Sequence, residues 1–152
     1  MIIVARADLT AEASRALIES LNHELRALYP EPGATHFQLD PEEVTGGRGT
    51  FLIVYRAGSP AGCGALRLLD AKTAELKRMY VAPAVRGTGL GRRLVTALEA
   101  EARALGVRRL VLETGTAQPE AIALYESAGY TEVPKFGIYR CHDGSRCYGK
   151  AL

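Results

Sequence analysis

Tryptophan is absent from this 152-residue chain, and only two methionines and three cysteines occur. Cys63, Cys141 and Cys147 are an odd, sparse set, which argues against a secreted scaffold held by disulfides. No apolar run approaches ~18 residues, so no segment reads as a transmembrane helix. The start, Met1 to Asp8, has no basic region followed by an apolar stretch, so no signal peptide is expected. These absences point to a reducing cytoplasm. An excess of one charge is lacking too. Nineteen Lys and Arg against 17 Asp and Glu leave +2, a balance that calls for neither nucleic acid nor a membrane surface as partner. Cys141, His142 and Cys147 lack the paired C-x2-C spacing of a structural zinc site, and His23 and His36 lie far off in sequence. No metal site is expected.

What is present suffices for a core. Hydrophobic residues make up 47% and charged residues 24%, which excludes disorder of the whole chain. The length predicts a single domain, 1–152. Glycine is the outlier: 16 residues, about one in ten against a usual ~7%.

Residues 2–6 read as a strand, and Asp8 and Thr10 precede a helical pattern with Thr10 as N-cap. Leu17, Leu21, Leu25 and Leu28 form one apolar face of a helix over about 11–28, which Pro30, Pro32 and Gly33 end. Residues 30–49 form a long polar connection, of a length that is often functional. Phe51–Tyr55 is a buried-strand run, followed after a turn by a strand over 61–69 and another over 74–81. Alternation in the last places Glu75, Lys77, Met79 and Val81 on one face. Leu94, Val95, Leu98, Ala102 and Leu105 trace a helix that Gly106 stops. A strand at 109–113, a helix over 119–128 opened by Pro119, and weak strands at 137–140 and 146–150 complete the chain. The order β-α-β-β-β-α-β-α-β-β predicts a mixed sheet of the α+β type.

Gly87, Gly89 and Gly91 alternate between a strand and an amphipathic helix. Glycine there lets the backbone turn tightly and approach a ligand, and the first N–H groups of the helix point at it from the positive end. Such a turn suits phosphate oxygens. A dinucleotide pattern would need glycine at 92 or 94, where Arg92 and Leu94 stand, and no Gly-Lys-Ser/Thr occurs. A plain structural turn is the competing reading.

The stretch Arg86-Gly87-Thr88-Gly89-Leu90-Gly91 resembles the acyl-CoA-binding motif of the GNAT superfamily of N-acyltransferases, Arg/Gln-x-x-Gly-x-Gly/Ala, with Arg86, Gly89 and Gly91 on its positions. Ala121-x-x-Leu124-Tyr125-x-x-x-Gly129-Tyr130 resembles a second motif of that family, with Gln118 where Asn is usual. The resemblance implies a central mixed, mostly antiparallel sheet of six or seven strands flanked by three or four helices. It implies acetyl-CoA as cosubstrate, with its pyrophosphate on the backbone from Arg86 to Gly91, Arg92 or Arg93 near a phosphate, and its pantetheine arm along Met79 and Val81. It implies acetyl transfer to a primary amine, on a small molecule or on a protein. Many members form homodimers through edge strands. A non-catalytic CoA-binding module is the alternative.

The chemistry sets requirements. An amine of pKa ~10.4 is about one part in 10³ neutral near pH 7, a penalty of roughly 4–5 kcal/mol, so a base must take its proton. The departing thiolate needs an acid, and the oxyanion needs a donor, expected from backbone N–H near Val81. Tyr125 holds the motif's tyrosine position and is the candidate acid; periodicity alone would pack it in the core beside Ala121 and Ile122. Glu75 is the candidate base, against a surface ion pair with Lys77 or with a neighbouring strand. Glu113 is the reserve, and a water chain is a third route. Acceptor choice is expected from 11–28, 30–49 and 133–145, where Glu31, Asp40, Glu42 and Glu43 either attract a cation or form a solvated face.

Overall fold

The computed structural model describes residues 1–31 and 39–152. Pro32, Gly33 and His36 therefore lie outside the described residues. Seven strands form one sheet: β1 (Ile2–Arg6), β2 (Gly49–Arg56), β3 (Ser59–Leu68), β4 (Thr73–Val81), β5 (Arg109–Gly115), β6 (Thr131–Val133) and β7 (Ser145–Ala151). Its order is β1-β2-β3-β4-β5-β7-β6. Neighbours pair antiparallel except β4 and β5, which are parallel. Three α-helices stand among the described residues, α1 (Glu12–Leu28), α2 (Leu90–Ala104) and α3 (Pro119–Ser127). The expected α+β fold class is what the chain forms.

Each long helix covers one face of the sheet, as its apolar stripe requires. On the α2 face Leu94, Leu98 and Ala102 pack with Leu66, Leu76, Leu110 and Leu112. On the α1 face Leu17 and Leu21 meet Phe51, Ile53 and Ala65. The stripe of α1 does not stay in the core to its end: Leu28 is 41% exposed and lines a cavity. Gly106, at φ +82, stops α2 as expected, with Val107 N–H donating to Ala102 O.

Two expected elements differ. The strand at 137–140 is a short 3-10 helix, Gly137–Cys141, begun by Gly137 at φ +54. The strand that pairs with β7 is instead Thr131–Val133, three residues too short to show alternation. Thr10 does not cap α1 either. Its hydroxyl and N–H both donate to Asp8 Oδ1, and Ala11 takes the N-cap position. Of the 30–49 connection, Pro41–Val44 is a 3-10 turn whose Asp40 and Glu43 form a capping box.

Candidate active site

The site begins with a loss of pairing. β4 and β5 share register only from Thr73 with Arg109 to Leu76 with Leu112. Beyond that point β4 runs on to Val81 with its β5-facing edge unpaired, and a cleft opens there. Ala82 N–H donates to Ala61 O on the β3 side. By the alternation of a strand, Val81 N–H therefore faces the open edge.

A bulge breaks β4 inside the cleft. Ala65 pairs with Lys77, but Cys63 pairs with Tyr80, leaving one extra residue on β4. Arg78 takes it up at φ +57, a left-handed conformation that costs a non-glycine residue roughly 1–2 kcal/mol. The expectation of Glu75, Lys77, Met79 and Val81 on one face fails for this reason. Glu75 and Lys77 keep one face, whereas Met79 and Val81 pack with the α2-side core.

The glycine turn sits beside this edge. Gly87 and Gly89 have φ +78 and +87, and Gly89 is the N-cap of α2. Gly91 serves packing: a Cβ there would lie 3.0 Å from Leu124 Cδ2 of α3. Arg86 does not extend outward. Its Nε donates to Val81 O at 2.8 Å and its Nη2 to Glu24 at 2.6 Å, tying the end of β4 to α1. Thr88 Oγ1 donates to Val85 O and closes the turn. Arg92 donates to Ser127 Oγ at 3.3 Å.

Two cavities meet in the cleft. One, of about 480 Å³, is lined by Met79, Val81, Arg86, Gly87, Gly89, Leu90, Gly91 and Arg92, every expected cofactor-site residue except Thr88. Its glycine turn, with left-handed backbone and helix N–H groups, suits a pyrophosphate. The other, of about 560 Å³, is lined by Glu75, Lys77, Arg78, Glu113, Tyr139 and Ser145. Met79, Ala121 and Tyr125 line both.

Tyr125 is 5% exposed and stacks edge-on to Tyr130 at 6.0 Å. Its hydroxyl has no hydrogen bond to a described residue. Since no buried side-chain N or O among those residues lacks a partner, that oxygen opens onto the cavity. Burial, then the Glu113 charge, push its pKa well up, so it keeps its proton through neutral pH.

The two carboxylates are held differently. Glu75 is 1% exposed, accepting from Arg67 Nε at 3.0 Å and from Tyr139 Oη at 2.6 Å. Its ion-pair partner is Arg67, its cross-strand neighbour, rather than Lys77. Arg67 also pairs with Glu43, so this member of the acidic loop run neutralises a half-buried cation. Glu113 has no ion pair among the described residues and accepts from Ser145 Oγ at 2.5 Å. Burial raises its pKa, and the Glu75 charge adds to that.

Sequence reasoning missed Arg67, Arg78, Tyr139 and Tyr29. Arg67 was within reach, because a tight turn at 70–72 places it opposite Glu75. Tyr29 carried no local signal. Its hydroxyl accepts from Ala117 N–H at 3.1 Å and Gln118 Nε2 at 3.4 Å. This is where the unusual Gln118 finds its hydrogen bond. Among the described residues no group of three His, Cys, Asp or Glu side chains gathers as for a metal. No described helix is long and apolar enough to cross a membrane.

Known proteins share this fold. The family model of the acetyltransferase (GNAT) family matches residues 14–130. An IAA acetyltransferase of Azospirillum brasilense is 38% identical over 139 residues, covering 91% of this chain and 90% of its own. A Klebsiella pneumoniae structure described as an acyl-CoA N-acyltransferase superposes with TM-score 0.85 at 33% identity, over 100% of this chain and 98% of that one. A GNAT acetyltransferase structure from Elizabethkingia anophelis, with acetyl-CoA bound, has TM-score 0.72 at 16% identity, over 99% and 98%. Fold and cleft together define an acyltransferase. The chain belongs to the GNAT acetyltransferase family.

Proposed function

We propose that this enzyme moves an acetyl group from acetyl-CoA to a primary amine of a small molecule, by direct attack with both substrates bound. The carrying observation is that Tyr125 lies where the two cavities meet. The glycine turn favours a pyrophosphate in one cavity, and the fold neighbour with acetyl-CoA bound agrees with that choice. A small acceptor is favoured because Tyr29 ties the end of α1 to residues 117–118 along the other cavity. Three free cysteines suit a cytoplasmic setting.

Bound acetyl-CoA would supply the acyl carbonyl and the thiolate leaving group. The chain supplies the proton chemistry. Glu113, desolvated and with no ion pair among the described residues, takes the proton of the amine as its nitrogen bonds to the acyl carbon. Tyr125 gives its proton to the departing sulfur. Val81 N–H, on the open edge, donates to the acyl oxygen. Glu75, already engaged by Arg67 and Tyr139, is a positioning residue.

The test is Tyr125→Phe. It should lower kcat roughly 10²-fold or more with little change in KM for acetyl-CoA. An unchanged kcat on the best amine would remove the acid role. Tight acetyl-CoA binding with no turnover on any amine would leave a binding module.

A further inference from the structure

We infer that the acceptor is an amine that also carries a carboxylate, and that Arg78 is the side chain that binds this acid group. The inference rests on the acetyltransferase reading above and narrows its substrate class.

Arg78 is half-buried in the acceptor cavity, at the bulge of β4. Its left-handed backbone departs from what strand pairing would impose. Such departures persist where the surroundings enforce them, and they cluster at ligand clamps. Here the backbone is held by Cys63 Sγ, which donates to Arg78 O. The side chain is held by Asn22 of α1, whose Oδ1 accepts from Nη2 at 2.6 Å. One bond thus fixes the backbone and the other fixes the guanidinium.

Its charge is not answered. No carboxylate pairs with Arg78 among the described residues, although Arg6 and Arg86 each have one and Arg67 has two. Nη1 and Nε have no acceptor there, and since no buried polar side-chain atom among the described residues goes unpartnered, both are accessible on a residue that lines the cavity. Burial lowers the pKa of Arg78, so a bound anion would stabilise its charge. The Nη1 and Nε N–H groups can each donate a charge-assisted hydrogen bond to a carboxylate oxygen. The same cavity holds Glu113 and Tyr125, where the amine must react. One cavity is therefore lined by both a cation and a proton acceptor, the complement of an amino acid. An amine without an acid group would leave Arg78 desolvated and unpaired, so the discrimination is built in.

The experiment compares ω-amino acids from glycine to 6-aminohexanoate, and common α-amino acids, with n-alkylamines matched in carbon number. Equilibrium binding to the CoA complex is measured by calorimetry, and acetyl transfer by thiol release. At least one acid should bind and react 10- to 100-fold better than its matched amine. Arg78→Gln should collapse that ratio toward one, chiefly through KM, and Arg78→Lys should restore part of it. Arg78→Gly relieves the left-handed backbone; it should melt no lower than wild type and still lose the preference. Acetyl-CoA binding to each variant confirms folding. Wild type binding matched amines as well as acids, or a preference that survives in Arg78→Gln, overturns the inference. So does stronger binding of 2-aminoethylphosphonate than of 3-aminopropanoate. Acid binding that depends on Arg78 without any acetyl transfer supports this inference and sinks the acetyltransferase reading alone.

Discussion

Glu75 and Glu113 lie on neighbouring strands with opposite surroundings. Both line the acceptor cavity, but Glu75 is 1% exposed and engaged by Arg67 and Tyr139, whereas among the described residues Glu113 accepts only from the hydroxyl of Ser145. A general base needs an available lone pair and a raised pKa, and Glu113 has both. Burial lifts Glu113 above the usual carboxylate value of ~4.3, so activity should fall with acid already above that pH. Glu113→Gln should cut kcat/KM about 10²-fold and erase that acidic limb of the pH profile. Glu75→Gln should instead leave the limb and cost about 2 kcal/mol of stability, since Arg67 loses half its charge balance. A limb lost in Glu75→Gln and kept in Glu113→Gln would reverse the roles. Tyr125 is raised, so it should contribute no basic limb below pH ~10.

At the scale of elements, two helix ends and one bulge build the site. The positive-φ Gly89 starts α2 against the cleft, and its neighbour Gly91 lets α3 approach. Gly89→Asp places a like charge where a pyrophosphate would sit, and acetyl-CoA affinity should fall at least ~10²-fold by calorimetry. The end of α3 is locked from below. Gly129 stops it at φ +95, and Tyr130 Oη and Lys150 Nζ each donate to Glu99 of α2 at 2.9 Å. Lys150 also donates to Ala128 O. This lock holds the helix that carries Tyr125. Lys150→Met leaves a buried carboxylate with one partner, and should cost about 2 kcal/mol in urea denaturation. An unchanged midpoint would mean the lock contributes nothing. Most of these devices were legible. Gly87 and Gly89 read as a tight turn, Gly106 as a helix stop and Pro119 as a helix start, because caps and turns are local. The bulge was not legible, because Lys77-Arg78-Met79 reads as plain strand and only the register against β3 inserts the extra residue.

Over the whole molecule, ligand binding and stability are one equilibrium. The two cavities lie between helices on opposite faces of the sheet, joined through the gap where β5 leaves β4. A ligand there binds only the folded chain. Acetyl-CoA at 100 times its Kd should add about 2.7 kcal/mol, a rise of roughly 5–10 °C in melting temperature. The same addition to Gly89→Asp should give almost none, and a full shift there would place acetyl-CoA elsewhere.

The sequence alone determined the α+β class, both long helices, the glycine turn before α2 and the family resemblance. Each is written in spacing along a few turns or strands, where local sterics and amphipathic burial decide the outcome. It also supplied the carboxylates and the tyrosine, but not their assignment. Only the tertiary structure decided that Glu75 is neutralised by Arg67, that Glu113 faces the cavity with no described counterion, and that Arg78 points into the same space. Those outcomes depend on which strands become neighbours, where β4 parts from β5, and how deeply each charge is desolvated. Such quantities are set by contacts between residues far apart in the chain, which no local pattern encodes.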